Sequence, residues 1–372
     1  MRLSGPRAAL LVTPLLLLVL AGVVAPIGAL LWRAVAEREV APALPRTLRE
    51  LGRWNGQDLP EDMAFEALAA DLAALRAAGA VGAVVMARAA GRLAEDVPKL
   101  REVLPGTAER AGETRTLRSV AVLVADPAWG EAESWAALRR AGAPASGFQL
   151  LAALGLRETA DGGLEDSPQG PHARALLARG IGGAVLAVAG CFLLAWPLAR
   201  RIAEAAPGRA GLLAGLTLLP LLAGEAARAL GWSGLVQAGL AEKGLGAALV
   251  ALILGGLPLM ALPIALALRR QGPRLPRAAA ALGVPPWVVF RRIRLPLARR
   301  GIAAGCALVL AQSLGAFVAP GLLAPEAPGA AAALAAAARA GDWGPAGALA
   351  AWLLLPVLLA AWLLLRAARR PA

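Results

Sequence analysis

Long uncharged runs alternate with short arginine-containing segments along the chain. A bilayer is crossed by about 20 apolar residues, and the uncharged runs of that length are Ala8–Trp32, Gly180–Ala199, Gly244–Leu268, Gly301–Pro325 and Gly344–Leu365. A further run, Ala210–Leu230, is interrupted only by Glu225 and Arg228. The pattern predicts an all-α membrane protein with six transmembrane helices.

The first run follows Arg2 and Arg7, as the apolar part of a secretory signal peptide would. It is longer than the usual apolar region of about 7–15 residues, and no clear small-residue cleavage site follows it. A retained transmembrane helix 1, within residues 1–32, is therefore favoured over a cleaved peptide.

The arginines predict the orientation of these helices. With the N-terminus in the cytoplasm, the arginine-rich segments fall inside, and the basic residues of the short outer loops are Lys243 and Arg339. This indicates a membrane protein with both termini in the cytoplasm. The net charge of +13 then reflects orientation and contact with anionic lipid rather than nucleic-acid binding.

Residues 33–175 differ from the rest because basic and acidic residues are mixed in similar numbers. The segment is long enough for a small domain, and the predicted topology places it outside the cytoplasm. Its patterns predict a helix over 61–80, either one helix or a broken one over 88–104, which contains Pro98, and a helix from Glu131. They also predict a strand over 118–125 and, within 156–168, a turn around residues 161–163 that is either a simple turn or a hairpin. We expect a mixed, mostly helical fold.

The sequence offers little for catalysis. His172 is the only histidine and is expected at the surface, while Cys191 and Cys306 lie inside apolar runs and are expected to pack there. Neither a phosphate-binding loop nor a metal-spaced ligand cluster is found. We predict no catalytic residue, no metal and no cofactor, which disfavours an intramembrane enzyme.

A basic, partly apolar segment over residues 277–305 connects the fourth and fifth predicted helices. It resembles the cytoplasmic signature loop of the permeases of ABC importers, whose pattern is Glu-Ala-Ala, three residues, Gly, nine residues and Ile-x-Leu-Pro. The matching residues are Ala278, Ala279, Gly283, Ile293, Leu295 and Pro296, followed by Gly301 at a glycine that usually opens the next helix.

Other segments are similar to the spermidine/putrescine permease group. They are "LLAWPLAR" (193–200), "RALGW" (228–232), "GAFVAPGLL" (315–323) and "DWGPAGALAAW" (342–352), with a weaker match in "FQLLAALGL" (148–156). The resemblance covers about 176–370 plus helix 1. It implies the type I ABC importer permease fold, with a core over 176–372 and an extracytoplasmic insert.

The resemblance implies that the loop over 269–302 couples the membrane helices to an ATPase. Gly283 would allow a tight turn between two short helices, and Pro286 suits a first helical turn. The docking surface would come from Trp287, Val288, Phe290 and Ile293. The alternative is an amphipathic helix lying on the membrane surface.

The loop departs from the family pattern at two positions. Arg277 occupies the position of the family's glutamate, and Arg300 stands where a proline often precedes the glycine. In the family the acid is thought to contact a basic residue of the ATPase, which Arg277 would repel. Acceptance of a standard partner ATPase is therefore in question.

The resemblance implies a transport subunit without catalysis of its own. Its partners would be a dimeric cytoplasmic ATPase, a second permease subunit that is homologous or identical, an extracytoplasmic solute-binding protein and membrane lipid. The solute would be a polyamine or a similar small molecule. A membrane receptor with an outer sensing domain is the alternative, although it leaves the loop spacing unexplained.

Charged residues inside a predicted span are candidates for the solute pathway, because they usually face a bundle interior or a cavity. Glu225 and Arg228 are such residues. On a straight helix that starts at Arg209, Glu225 would lie about 24 Å from the start. Trp232 and Asp342 are further pathway candidates. The alternatives are a structural Glu225–Arg228 ion pair and an interface anchor at Trp232.

Overall fold

The computed structural model describes residues 13–36, 39–56, 58–113, 126–158, 163–272 and 274–369. Helices make up most of this part of the chain, as predicted. The chain divides into two compact units, of which unit 1 comprises Met1–Ala173 with Trp343–Ala348 and unit 2 comprises Arg174–Asp342 with Leu349–Ala372.

Unit 1 contains mainly short helices. They follow α1 (Thr13–Arg33) and are α2 (Pro45–Leu51), α3 (Asp62–Ala77), α4 (Gly79–Asp96), α5 (Leu100–Glu113), α6 (Ala132–Ala141) and α7 (Phe148–Ala153). Strands β1 (Leu156–Glu158) and β2 (Leu164–Asp166) form an antiparallel hairpin. The helices expected over 61–80 and from Glu131 are confirmed. The turn expected within 156–168 falls partly, and the strand expected over 118–125 wholly, outside the described residues.

The core of unit 1 is built on the helical spacing seen in the sequence. Phe65, Leu68, Leu72 and Leu75 of α3 are all buried in it. The helix expected over 88–104 is broken between Asp96 and Leu100, and its first half begins at Gly79. Pro98 lies in this gap, where its missing N–H breaks no helical hydrogen bond.

Side-chain hydrogen bonds hold several elements of this core in register. The buried Asp71 carboxylate accepts hydrogen bonds from the backbone N–H groups of Arg46 and Thr47, both at 2.9 Å, and thereby caps α2. The indole of Trp129 donates to the Thr107 hydroxyl at 2.9 Å, and that of Trp135 donates to the Trp129 carbonyl at 2.9 Å. These buried donors and acceptors are paired, as a stable core requires.

Unit 2 contains the longer helices. They are α8 (Gly170–Glu204), α9 (Pro207–Leu222), α10 (Gly224–Gln237), α11 (Leu245–Gln271), α12 (Arg274–Ala281), α13 (Pro286–Val289), α14 (Leu295–Gly315), α15 (Val318–Leu323) and α16 (Ala330–Ala340). The last helix, α17 (Trp343–Arg369), begins in unit 1 and continues into unit 2.

Within the described residues, four helices are long and apolar enough to cross a membrane: α1, α8, α11 and α17. The pair α9 and α10 raises this number to five if it counts as one bent span. Many large apolar side chains on these helices are exposed, such as Leu193 and Leu358, which fits helices surrounded by lipid. The number of six spans stays a prediction.

Two predicted spans are broken rather than straight. Ala210–Leu230 bends by 83° between α9 and α10, where Gly224 adopts a φ of +71°. In the run Gly301–Pro325, the first helix ends at Gly315, and the short helix α15 begins at Val318. The sequence did not predict either break, because hydropathy does not report the backbone turn that divides an apolar run.

The centre of unit 2 is formed by α8, α11 and α14. Cys191, Ala195, Met260, Ile264 and Val309 are fully buried where these helices meet. Both cysteines are free, and Cys191 packs as expected. His172 is exposed in the first turn of α8, also as expected.

Candidate functional site

The basic loop contains a tight turn between two helices. Helix α12 ends in a Schellman motif, in which the N–H of Gly283 donates to the Ala280 carbonyl at 3.0 Å and that of Val284 to the Ala279 carbonyl at 3.1 Å. Gly283 has a φ of +73°, which a residue with a Cβ adopts only at a cost. The turn predicted at Gly283 is confirmed.

The second short helix of the loop differs from the expectation. Helix α13 starts with Pro286 in its first turn, as predicted, but runs through a π-helical turn, Phe290–Arg294, directly into α14. The loop is therefore a short helix, a turn and the protruding start of a long helix. Because this protruding segment is continuous with α14, the loop is suited to transmitting a displacement to that helix.

The aromatic residues of the loop have different environments. Trp287 is 64% exposed, and Leu282, which precedes the glycine turn, is 83% exposed. Phe290 is half-buried, with its ring centroid 4.9 Å from that of Trp196 in an edge-on arrangement. Trp287 and Leu282 thus present an apolar surface to solvent, while Phe290 fixes the loop to α8.

The remaining side chains of the predicted loop site fall into two groups. Ala278, Arg277 and Pro296 are exposed, whereas Ala279 and Gly301 are buried and Val288, Ile293 and Leu295 are half-buried. Val289 is buried and was not among the predicted residues. Burial at Ala279 and Gly301 indicates that these family positions hold the loop in place.

Arg277 lies beside an acidic residue that the sequence reasoning did not consider. A cavity of about 800 Å³ is lined by Arg277, Glu204, Arg200 and Arg294, together with aromatic and apolar side chains. The Glu204 carboxylate accepts from Arg200 Nε at 3.0 Å and lies 3.2 Å from Arg294 Nη1. Glu204 could have been noticed as the lone acid in a basic segment.

Glu225 and Arg228 do not form the structural ion pair that was the alternative to a pathway role. Among the ion pairs of the described residues none joins them; instead, Glu225 Oε1 accepts from the backbone N–H groups of Val318 at 3.0 Å and Ala319 at 3.4 Å. Arg228 Nη1 donates to the Pro220 carbonyl. The carboxylate therefore caps the start of α15, and the guanidinium satisfies a carbonyl at the end of α9.

The bend after α9 lies directly before Glu225. It changes the direction of the helix that carries Glu225, while the position of about 24 Å along the helix from Arg209 stays a prediction. Trp232 is half-buried and packs against a small apolar cluster that includes Ala229 and Leu323, which favours packing over an interface anchor.

Asp342 is exposed in the turn between α16 and α17. A separate cavity of about 370 Å³ is lined mostly by alanine, glycine and leucine, with Arg179 and Ser313 as its polar members. None of the four predicted pathway residues belongs to its lining. Within the described residues, Glu225, Arg228, Trp232 and Asp342 therefore do not line this cavity.

Comparison with known proteins matches the part of the chain that contains these features. Residues 216–370 match the family described as "Binding-protein-dependent transport system inner membrane component". The match includes the basic loop, α14 and both breaks, so the resemblance seen in the loop is confirmed.

Several curated permeases resemble parts of the chain. The inner membrane ABC transporter permease protein YdcU of Escherichia coli is 45% identical over 86 residues, which are 23% of this chain and 27% of that protein. The spermidine/putrescine transport system permease protein PotB of Haemophilus influenzae is 31% identical over 150 residues, which cover 36% of this chain and 52% of that protein. The molybdenum transport system permease protein ModB of Escherichia coli is 44% identical over 72 residues, which cover 19% of this chain and 31% of that protein.

The chain therefore spans between about a quarter and a half of the length of these relatives. By their names these relatives are transport permeases.

Proposed function

We propose that the chain is the transmembrane permease subunit of an ABC importer, forming part of a solute pathway and receiving work from a separate ATPase. The observation that carries this proposal is the geometry of the basic loop, in which a glycine turn and a helical start expose Trp287 and Leu282. The family match over residues 216–370 supports it.

The partners follow from this role. A cytoplasmic ATPase would dock on the loop, a second permease subunit would complete the pathway, and an extracytoplasmic binding protein would deliver the solute. A bacterial inner membrane location, six spans, cytoplasmic termini and an extracytoplasmic domain over residues 33–175 belong to the same proposal. Support comes from the apolar helices and from the positions of the arginines.

The solute proposed is a polyamine or a similar small molecule. The similarity to PotB, a spermidine/putrescine permease, supports a polyamine. The chemistry of Glu225 supports it less than the sequence suggested, because its carboxylate already accepts two backbone hydrogen bonds. The receptor alternative accounts for an outer domain but not for the loop.

Docking can be tested by placing a charge on the exposed surface of the loop. Trp287→Asp puts a carboxylate where an apolar contact is proposed, and burying an unpaired charge costs several kcal/mol. We expect at least a tenfold loss of the co-purifying ATPase, since about 1.4 kcal/mol corresponds to a factor of ten. The measurement is the ratio of ATPase to tagged permease after purification from membranes.

Leu164→Asp is the matched control, because Leu164 is also a large exposed apolar residue but lies in the β hairpin of unit 1. It should leave the ATPase ratio unchanged. Gly283→Val, which strains the turn, should lower the ratio while the protein still inserts into the membrane. Normal recovery of the ATPase with both loop variants would rule out the coupling role.

A further inference from the structure

A second, smaller cavity lies where α8 and α11 end and the basic loop begins. It has a volume of about 190 Å³, and its polar lining consists chiefly of Arg200, Glu204, Arg269, Gln271, Arg277 and Arg294. Four guanidinium groups thus face a single carboxylate. The Glu204 carboxylate is already engaged by Arg200 and Arg294, so the cavity has an excess of positive charge.

The same cavity has a buried donor that lacks an acceptor. Gln271 Nε2 is buried and has no hydrogen-bond partner among the described residues. Arg277 also lines the cavity, and its exposed guanidinium can reach a ligand from the solvent side. A buried donor without an acceptor costs about 1–3 kcal/mol, and a ligand rich in acceptor oxygens would remove that cost.

The volume is suited to a small oxyanion. A water molecule occupies about 30 Å³ in the liquid, so the cavity holds the equivalent of about six waters. This exceeds the space of one phosphate group with its five heavy atoms. Arginine is the preferred side chain for such a group because its planar donors match phosphate oxygens.

An apolar wall adjoins the basic cavity. The cavity of about 800 Å³ shares Arg200, Glu204, Arg277 and Arg294 with the smaller one. Its opposite side is formed by the apolar residues Trp196, Val284, Trp287, Val289 and Phe290. The two cavities together therefore fit a molecule that has both a phosphate and an apolar part.

The position of the site identifies the source of that molecule. Helices α8 and α11 are long and apolar enough to cross a membrane, and the cavity lies at their ends, Glu204 and Gln271. Lipid headgroups lie at the ends of membrane-spanning helices, and basic pockets between such helices bind anionic headgroups. We propose that this cavity binds the phosphodiester headgroup of an anionic phospholipid, with an acyl chain against Trp196 of α8 and Phe290.

The proposal rests on the membrane placement of these helices and not on the transport role. The full chain, purified in a neutral detergent, is titrated with phosphatidylglycerol or phosphatidylcholine, and native mass spectrometry measures the bound lipid. The wild type should bind phosphatidylglycerol at least about tenfold more tightly, the effect of one or two charge-assisted hydrogen bonds. Equal affinity for both lipids would overturn the proposal.

Arg277→Gln tests the cavity directly, and the exposed Arg277 is not needed for folding. It should weaken phosphatidylglycerol binding about tenfold and leave phosphatidylcholine unchanged. Arg292→Gln removes the same charge from an exposed residue that lines neither cavity, and should change binding less than about twofold. Equal losses in both variants would mean nonspecific attraction and would overturn the site.

Two further experiments test the chemistry of the ligand and its source. Gln271→Glu adds a carboxylate beside the arginines and should abolish the preference for phosphatidylglycerol; a preserved preference would overturn the assignment. Inorganic phosphate in large excess should not displace the lipid, because it lacks the apolar part. Displacement at a concentration comparable with that of the lipid would assign the cavity to a free anion instead.

Discussion

Glu225 and Arg228 show how charged residues can be retained within an apolar run. Each side chain is half-buried, and each forms its hydrogen bonds with backbone groups rather than with the other side chain. The negative charge lies at the start of α15 and the positive charge at the end of α9, which is the favourable arrangement for both helix dipoles. The insertion cost of about 2.5–3.5 kcal/mol for a charge at a helix centre is thus offset by helix-end groups that would otherwise lack partners.

A pair of substitutions at Glu225 distinguishes this capping role from a solute contact. Glu225→Ala leaves the N–H groups of Val318 and Ala319 without an acceptor and should cost about 1–3 kcal/mol of stability. Glu225→Gln keeps one carbonyl oxygen and should lose clearly less. Thermal unfolding of the purified chain in detergent measures both variants.

Glu242→Ala is the control, because Glu242 is an exposed acid outside the described hydrogen bonds and ion pairs. It should leave the unfolding temperature unchanged. Solute uptake provides the second readout. If Gln and Ala at position 225 reduced uptake equally while the Gln variant stayed stable, the carboxylate would be contacting a cationic solute.

At the scale of the elements, the contact between α11 and α14 depends on small residues. A Cβ on Gly301 would lie 2.5 Å from the Pro263 carbonyl oxygen, and one on Gly305 would lie 2.7 Å from the Met260 sulfur. Gly301 and Gly305 are four residues apart and so occupy the same face of α14. In a membrane, where the hydrophobic effect does not join helices, such close approach supplies the packing energy.

Gly301→Ala should therefore destabilise the chain by about 1–3 kcal/mol, because the new methyl group meets backbone that cannot move aside. Gly315→Ala is the matched control on the same helix, since a Cβ there meets nothing within 4 Å. The control should be neutral or slightly stabilising because alanine favours helix. Thermal unfolding in detergent compares the two, and an equal response would show that α11 and α14 tolerate separation.

At the scale of the whole molecule, the arginines predict which helix ends face the cytoplasm. Reporter fusions after Arg201 and Arg270 should show a cytoplasmic location, because these segments carry clustered positive charge. Fusions near Gly162, Lys243 and Ala333 should show the outer location. A cytoplasmic signal at Gly162 would contradict the six-span topology and the outer placement of residues 33–175.

The sequence by itself determined the features that depend on local pattern. Apolar length identified α1, α8, α11 and α17 as spans, and fixed spacing identified the loop with its turn at Gly283. Helical periodicity likewise identified the buried face of α3. These inferences succeeded because hydropathy, periodicity and glycine turns act over a few neighbouring residues.

Only the tertiary structure decided the partners of the charged side chains. Glu225 caps a helix whose first residue is 93 positions further along the chain, and Glu204 meets Arg294 from another helix. The sequence also left open whether Ala210–Leu230 was straight, because an apolar run has the same composition when it bends. Such partners and bends are set by how distant segments pack, since a buried polar group takes whichever complementary group the fold brings within hydrogen-bond distance.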